Sequence, residues 1–349
     1  MQNTSSTPHV QTECVIFADF NCTGPTQVRE VRLVLLVVFA IFITATILGN
    51  LLIITAIASF TKLQTHANFL ALSLAVSDLL VGVFIMPLSM MKTVYDCWFY
   101  ASVLCNAHYF LDYTLTTATI LHITCIAYDR YVAICDPLRY PTRVTVRTIA
   151  ALLVLCWLGA AIFSSPILLS FSPTLSRGNI ERVSCPDDCV FSVSFGILVT
   201  IGMGPYFASV HVVLLMYAVI YRVARRQSRK VAAEAASSSA VDSSAVKNMK
   251  REHSAAKTLG AIIGTFMLSW LPYYVVAMIS FTVDGLFIPY RVAMWIGYCS
   301  SAINPLLYAS FNRSFRTAFR DIFRLRVFSA VVRRDAGLSE RSHGQATTR

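Results

Sequence analysis

Residues 103–135 of the chain read VLCNAHYFLDYTLTTATILHITCIAYDRYVAIC. An α-helix needs about 20 predominantly apolar residues to cross the hydrocarbon core of a bilayer, and this stretch exceeds that length. One acidic residue, Asp112, lies near its beginning, whereas Asp129 and Arg130 lie near its end. The stretch therefore predicts a transmembrane helix that carries one ionisable group inside the membrane and a charged pair at its far boundary.

Six further stretches are apolar over a comparable length, and all seven together predict a seven-transmembrane helix bundle. Of the 349 residues, 56% are hydrophobic and only 13% are charged, whereas a soluble globular protein carries about 25% charged residues. The composition excludes that class and also a disordered chain, which would be poor in aromatic residues. It predicts an all-α membrane protein. The other predicted spans are residues 33–59, 68–92, 148–170, 191–224, 251–281 and 290–310.

The segments outside the spans complete the domain organisation. Residues 1–32 form a polar arm, 33–310 the seven-helix domain, 311–328 a short helix, and 329–349 a polar tail that we expect to be disordered. In the short helix, apolar and basic residues recur at helical spacing, which is typical of an amphipathic helix on the inner leaflet. These residues are Phe315, Arg316, Phe319, Arg320, Ile322, Phe323 and Arg324.

The distribution of charge predicts the orientation of the chain in the plasma membrane. The net charge of +11 is concentrated in the loops and tail opposite the N-terminus, so the positive-inside rule predicts an extracellular N-terminus and a cytoplasmic C-terminus. Two glycosylation sequons, at Asn3 and Asn21, agree with that orientation. We interpret the basic excess as contact with anionic lipids, and predict no binding of nucleic acid.

Cysteines on the predicted extracellular side can form disulfides, because that compartment is oxidising. Six cysteines allow about 15 complete pairings, so the pattern alone does not choose among them. They are Cys14, Cys22, Cys97, Cys105, Cys185 and Cys189.

Two aspartates lie deep inside predicted spans, Asp78 in the second and Asp112 in the third. An ionisable group in hydrocarbon marks a cavity or a partner. Aromatic residues occur on helices six and seven at a depth similar to that of Asp112, and a carboxylate among aromatic rings suits an alkylammonium ion. The alternative is that the rings merely fill the core. The aromatic residues are Trp270, Tyr273, Tyr274, Trp295 and Tyr298.

A candidate conformational switch lies at the opposite end of helix three. Asp129-Arg130-Tyr131 follows Asp112 by 17 residues, roughly 25 Å along a helix. Glu252, at the inner end of helix six, offers Arg130 a second carboxylate. A bond that joins helices three and six in one state and breaks in another would be a switch. Pro272 and Pro305 remove backbone hydrogen bonds within helices six and seven and predict kinks there.

These motifs, in this order, resemble those of class A (rhodopsin-like) G-protein-coupled receptors. Within that family the chain resembles the aminergic branch, and most of all the trace amine-associated receptors, through residues 136–142 (DPLRYPT), 185–189 (CPDDC) and 255–260 (AAKTLG). The general motifs are Gly49-Asn50, Leu74-Ala75 with Asp78, Asp129-Arg130-Tyr131, Trp157, Trp270 with Pro272, and Asn304-Pro305 with Tyr308.

The resemblance implies a ligand, partners and site residues. It implies a protonated small amine bound by Asp112, a heterotrimeric G protein of the stimulatory type that raises cyclic AMP, and the olfactory role typical of trace amine-associated receptors. It implies no cofactor beyond an allosteric sodium ion at Asp78, where water is an equally good chemical filler. It also implies disulfides Cys105–Cys189 and Cys22–Cys185.

The remaining site residues implied by the resemblance fall into three groups. The ligand site would contain Tyr113 and Thr116 in addition to Asp112, Trp270, Tyr273, Tyr274, Trp295 and Tyr298. The switch would contain Ile120, Phe266, Tyr217, Asn304, Pro305 and Tyr308 in addition to Asp129, Arg130, Tyr131 and Glu252. The sodium site would contain Thr119, Ser300, Ser301 and Asn304 around Asp78.

The chain departs from the family pattern in helix five, where Ser209 occupies the usual proline position and Pro205 lies one turn earlier. Ile201, Gly202 and Pro205 replace the serines of catecholamine receptors, which argues against a catechol ligand. A receptor for a classical neurotransmitter amine such as serotonin remains an alternative.

An enzymatic alternative is an intramembrane aspartyl protease, since two aspartates lie within spans. Such enzymes resemble one another in a Gly-x-Gly-Asp motif, whereas Ser77 precedes Asp78 and Leu111 precedes Asp112. A transporter would often carry internal repeats, and the sequence has none. We therefore predict a receptor that is not an enzyme.

Overall fold

The computed structural model describes residues 28–95, 98, 100, 102–170, 189, 195–237, 243–283 and 285–324. Helix α1 spans Arg29–Ser59 and α3 spans Ser102–Cys135. Between them, α2 consists of His66–Leu80, Val81–Ile85 and Met86–Tyr95. Helix α4 consists of Val146–Val154, Leu155–Gly159 and Ala160–Ser170. Helix α5 consists of Phe195–Ile197, Leu198–Met203 and Gly204–Ser237. Then follow α6 (Ser243–Ile279), α7 (Phe287–Phe311) and α8 (Arg313–Phe323).

The seven-helix membrane fold predicted from the sequence is confirmed, with differences at the helix ends. Helix α6 ends at Ile279, two residues before the predicted end at 281. It begins at Ser243, before the predicted residue 251, because a helix can continue into water beyond its apolar part. Helix α5 continues to Ser237 for the same reason. Residues 191–194, the N-terminal arm 1–27 and the tail from 325 lie outside the described residues.

Helices α1 to α6 each contain a segment long and apolar enough to cross a bilayer. Helix α7 is 25 residues long but falls short of that hydropathy because Ser300, Ser301 and Asn304 lie along it. These three side chains are buried in the bundle. Polar groups on a membrane helix are tolerated when they face the protein interior, so α7 is the least apolar of the seven spans and carries much of their polar core.

Helix α3 lies at the centre of the bundle. It packs against α2, α4, α5 and α6, while α7 packs against α1 and α6. Apolar side chains on the outer surface remain exposed, as for Leu215 at 68% and Leu268 at 71%. Lipid is their natural solvent. Because α3 is central and runs the length of the bundle, it connects a site at one end of the bundle with a site at the other end. We call the end at which α1 begins the N-face and the opposite end the C-face.

Three π-helical segments interrupt the spans in the part of the chain that the structure describes, and no pattern in the sequence predicted them. They are Val81–Ile85 in α2, Leu155–Gly159 in α4 and Leu198–Met203 in α5. A π-helical turn inserts an extra residue and rotates the helix beyond it, and such turns occur frequently at functional sites. Two of them change which residues of α2 and α5 face the N-face half of the bundle.

Helix α8 begins where Asn312 ends α7. The Asn312 side-chain oxygen accepts a hydrogen bond from the backbone N–H of Ser314 at 3.0 Å, which is an N-cap. Phe315 and Phe319 are buried against α1 and α7, whereas Arg316 and Arg320 are exposed. The helix therefore has the two faces expected of an amphipathic helix at a membrane surface.

Candidate functional site

Asp112 lies on α3 in the N-face half of the bundle. Its Oδ2 accepts a hydrogen bond of 2.8 Å from the hydroxyl of Tyr298 on α7. The Tyr298 hydroxyl lies 3.4 Å from Ser89 Oγ on α2. The other carboxylate oxygen, Oδ1, is buried and has no hydrogen-bond partner among the described residues. A buried carboxylate with one unsatisfied oxygen is costly, so the site favours a ligand that donates a hydrogen bond or carries a positive charge.

Aromatic rings from α6 and α7 surround this part of the bundle. The ring centroid of Trp270 lies 5.9 Å from that of Tyr298 and 5.5 Å from that of Tyr273, both in edge-on geometry. Tyr273 and Tyr274 are in contact, with centroids 5.3 Å apart. The predicted aromatic cluster therefore forms one connected wall.

Two tyrosines of this wall were missed from the sequence. The hydroxyl of Tyr290 lies 2.9 Å from that of Tyr273, and the ring of Tyr206 stacks on Tyr274 at 4.2 Å. Tyr290 precedes Tyr298 by eight residues, so both lie on one face of α7, and that spacing could have identified it. Tyr206 follows the π-helical turn of α5, which shifts the helical phase, so no sequence pattern indicated its direction.

Other predicted ligand-site residues contact helices α1, α2 and α5 around this cluster. The ring of Trp295 stacks on Phe39 of α1 at 3.8 Å, and its indole N–H donates to Thr93 Oγ1 at 3.1 Å, so Trp295 supports Tyr298 from the side of α1 and α2. The hydroxyl of Tyr113 donates to the carbonyl of Ile201 at 2.6 Å and joins α3 to α5. Thr116 is half-buried one turn beyond Asp112.

A disulfide and a lysine lie at the N-face end of the site. Cys105 is bonded to Cys189, as the family resemblance implied. Lys92 Nζ donates to the hydroxyl of Tyr109 at 2.7 Å and to the carbonyl of Cys189 at 2.5 Å. Cys22, Cys185, Asn3 and Asn21 lie outside the described residues, so the second disulfide and the glycosylation sites remain predictions.

The second buried aspartate, Asp78, lies in a polar cluster. Its two oxygens accept hydrogen bonds of 2.7 Å from Ser301 and from Asn304. Thr119 is connected to the cluster through Ser77, with 3.3 Å between the hydroxyls. Ser300, in contrast, donates to the carbonyl of Gly297 on its own helix. Three of the five predicted sodium-site residues, Asp78, Ser301 and Asn304, are therefore joined by hydrogen bonds.

The candidate switch lies at the C-face end of α3. Asp129 accepts hydrogen bonds from the Arg130 guanidinium and from the hydroxyl of Tyr140 at 2.9 Å. Asp129 and Arg130 are 1% and 7% exposed. Tyr131, the next residue of α3, is half-buried. The side chain of Glu252 lies outside the described residues, so its bond to Arg130 remains a prediction.

The other predicted switch residues lie on helices α3, α5, α6 and α7. Ile120 and Phe266 are buried and line one narrow gap between α3, α5 and α6. The hydroxyls of Tyr217 and Tyr308 are buried and have no hydrogen-bond partner among the described residues. Pro305 packs against Gly49, where an added Cβ would lie 2.7 Å from the proline ring.

The unusual residue of α5 has a partner on α3. Ser209, at the position usually held by proline, shares a short hydrogen bond with the hydroxyl of Thr124. Ser209 also lines the narrow gap beside Ile120 and Phe266. A side-chain hydrogen bond thus joins α5 to α3 at this depth. The proline that usually occupies this position has no side-chain hydroxyl and could not form it.

Comparison with known proteins gives the family. Residues 49–308 match the family of 7 transmembrane receptors (rhodopsin family). Trace amine-associated receptor 365 of Petromyzon marinus is 40% identical over 328 residues, which cover 91% of this chain and 87% of that protein. Trace amine-associated receptor 4 of Mus musculus is 33% identical over 351 residues, 96% of each chain. Trace amine-associated receptor 13c of Danio rerio is 33% identical over 90% of this chain and 93% of its own.

The chain belongs to the trace amine-associated receptors of the rhodopsin family. It is therefore a multi-pass membrane receptor whose partners are a small-molecule ligand and a heterotrimeric G protein, and the prediction that it is not an enzyme is confirmed by the family. The intramembrane protease alternative is wrong.

Proposed function

We propose that this receptor binds a protonated small amine through Asp112 and, with the amine bound, activates a stimulatory G protein and raises cyclic AMP. The unsatisfied Asp112 Oδ1 supports this proposal most directly, because an ammonium group supplies both the missing hydrogen bond and the countercharge. Rings of Trp270, Tyr273 and Tyr298 lie on the same side of the bundle and add cation–π attraction. The trace amine-associated names of the relatives favour the same ligand class.

Activation would follow from a difference in amine affinity between two packings of the bundle. Asp112 and Arg130 lie on one continuous helix, α3. Between them along the bundle, Ile120 of α3 and Phe266 of α6 line the same narrow gap. In the packing that the amine favours, the C-face end of α6 moves away as Arg130 leaves Glu252, and a cleft opens for the G protein. This orientation puts the N-face outside the cell and the C-face in the cytoplasm, as the basic loops favour.

The test is cyclic AMP in cells that express the wild-type receptor or Asp112→Asn, exposed to a panel of monoamines, diamines and polyamines. Asn keeps the volume and removes the charge, so we expect the response to the active amines to fall by at least 100-fold in potency at unchanged surface expression. Asp78→Asn, the other buried aspartate, is the matched control and should leave amine binding in place. A full response in Asp112→Asn would overturn the amine site, and an amine response through another second messenger would overturn only the stimulatory coupling.

We propose further that Asp78 holds a sodium ion with Ser301, Asn304, Thr119 and Ser300 in the inactive packing. A carboxylate and hydroxyl oxygens suit a hard cation, and hydrogen bonds join Asp78 to Ser301 and Asn304. Replacing sodium by N-methylglucamine should then raise amine affinity in the wild type and leave Asp78→Asn unaffected. Equal effects on both receptors would exclude the site.

A further inference from the structure

We propose that Lys92 selects amine ligands by the charge at the end remote from Asp112. An amine ligand whose remote end is uncharged or anionic binds favourably near Lys92, whereas a ligand with a second ammonium group at that end binds less well. This inference rests on the proposed binding of the first ammonium by Asp112, and it narrows the ligand class to amines with a single positive charge in this part of the site.

Two helices independently fix Lys92 one turn toward the N-face from the Asp112 cluster. On α2, Lys92 follows Ser89 by three residues, and Ser89 lies 3.4 Å from the Tyr298 hydroxyl that binds Asp112. On α3, Tyr109 precedes Asp112 by three residues, and the Tyr109 hydroxyl lies 2.7 Å from Lys92 Nζ. Three residues of helix rise by about 4.5 Å, so Lys92 and Tyr109 each lie about one helical turn closer to the N-face than Ser89 and Asp112.

Among the described residues, the hydrogen-bond partners of Lys92 carry no negative charge. Its two hydrogen-bond acceptors, the Tyr109 hydroxyl and the Cys189 carbonyl, are neutral, and its ammonium lies 5.1 Å from the centroid of the Tyr109 ring. Among the described residues, no Asp or Glu oxygen forms an ion pair with Lys92. The N-face end of the site is therefore positively charged, whereas the Asp112 end is negatively charged.

The position of this charge is fixed by the fold. Cys189 is 8% exposed and is covalently bound to Cys105 on α3, so its carbonyl is a rigid acceptor. Lys92 is held between that carbonyl and Tyr109. A long, flexible lysine at a surface would turn into water, but here two acceptors keep the ammonium over the site. A ligand tail that passes between α2 and α3 meets this charge.

The same contacts allow a purely structural role, in which Lys92 only anchors the loop that contains Cys189. The two roles differ in their consequences. Loss of a structural anchor lowers the potency of every amine by a similar factor, whereas loss of a charge changes the ratio between amines of different charge. Two unit charges about 10 Å apart at an effective dielectric constant near 20 repel by enough to change that ratio roughly tenfold.

The experiment uses three ligands of equal chain length: 1-aminopentane, 1,5-diaminopentane and 5-aminopentanoate. Cyclic AMP responses are compared in wild type, Lys92→Met, Lys92→Glu and the charge-preserving control Lys92→Arg, with surface expression measured for each. We expect the potency of the diamine relative to the monoamine to rise about tenfold in Lys92→Met and further in Lys92→Glu. The relative potency of 5-aminopentanoate should fall in both, and Lys92→Arg should keep the wild-type ratios.

Unchanged ratios in Lys92→Met and Lys92→Glu would overturn the proposal, because they would mean that other charges, such as Asp187 and Asp188 beside Cys189 in the sequence, already cancel Lys92. A uniform loss of potency for all ligands would also overturn it in favour of the anchor role. If the pentyl series is inactive on the wild-type receptor, the same comparison is made with analogues of the amines that are active in the panel. A panel in which every active amine carries two ammonium groups would overturn the proposal. A monoamine response that survives Asp112→Asn would instead refute the proposed function.

Discussion

At the scale of single residues, the contact between Tyr298 and Asp112 controls the charge at the centre of the site. Among the described residues, the hydroxyl of Tyr298 is the one group that donates a hydrogen bond to Asp112. A hydrogen bond to a charged group contributes about 1.5–3 kcal/mol. It therefore holds the carboxylate in one rotamer, with Oδ2 occupied and Oδ1 left for the proposed amine.

We predict that Tyr298→Phe lowers the potency of the activating amine by about tenfold, because the carboxylate loses its orientation while the aromatic ring stays. Each 1.4 kcal/mol corresponds to a factor of ten in affinity. The measurement is the concentration–response curve for cyclic AMP at matched surface expression.

The control for this prediction is Tyr290→Phe. It also removes one buried hydroxyl, but that hydroxyl is bonded to Tyr273 rather than to the carboxylate, so potency should change by less than threefold. Equal losses in the two variants would mean that the aromatic wall, and not the bond to Asp112, determines affinity.

How far the sequence predicts such residues depends on the kind of contact. Asp112 was predictable because a carboxylate inside an apolar span is rare and costly, and Tyr298 because it lies at similar depth. Ser89 and Lys92 were not predicted as part of the site, since their role depends on the rotation of α2 beyond its π-helical turn at Val81–Ile85. Rotation of a helix about its axis is set by tertiary packing, which the sequence pattern does not report.

At the scale of helices, Gly297 determines how closely α7 approaches α6. An added Cβ at Gly297 would lie 2.9 Å from the indole of Trp270, and real Cβ atoms essentially never come so close to a ring. Trp270 is 6% exposed and contacts Tyr273 and Tyr298, so it has little room to move. The glycine thus allows the tryptophan to lie across the interface between the two helices.

We predict that Gly297→Ala destabilises the receptor by about 1–3 kcal/mol, the usual cost of overpacking a core. The measurement is the thermal unfolding temperature of the purified receptor in detergent, which should fall by several degrees. The displaced Trp270 should also alter the amine response, since its ring belongs to the aromatic wall.

Gly264→Ala, on α6 itself, is the matched control. An added Cβ there meets nothing within 4 Å, and alanine favours a helix over glycine by roughly 0.5–1 kcal/mol, so its unfolding temperature should stay equal or rise. A fall of similar size in both variants would show that any glycine replacement in these helices is harmful and would contradict the close contact.

The helices illustrate a second boundary of sequence-based prediction. Hydropathy located all seven spans because the need for about 20 apolar residues is strict, and the match of Trp157 to a family motif was visible in the sequence. Its partner was not: the Trp157 indole donates to Ser73 on α2, which in turn lies 2.8 Å from His122 on α3. A network across three helices requires the packing, because each member alone is an ordinary polar residue.

At the scale of the whole molecule, three of the buried polar groups without a hydrogen-bond partner among the described residues lie on the helices that would signal, toward the two ends of the bundle. Near the N-face it is Asp112 Oδ1, and toward the C-face the hydroxyls of Tyr217 and Tyr308. A buried hydroxyl without a partner costs about 1–3 kcal/mol. A second packing in which these groups are bonded would therefore be favoured by a ligand at one end and a G protein at the other.

We predict that Tyr308→Phe stabilises the described packing and weakens signalling. Phenylalanine keeps the ring contact with Phe315, whose centroid lies 4.8 Å away, and removes a hydroxyl that has no partner here. The unfolding temperature of the ligand-free receptor should rise, and basal and maximal cyclic AMP should fall. Tyr221→Phe, whose ring is 65% exposed, should change neither. Lower stability with higher basal signalling in Tyr308→Phe would mean that the hydroxyl already stabilises this packing.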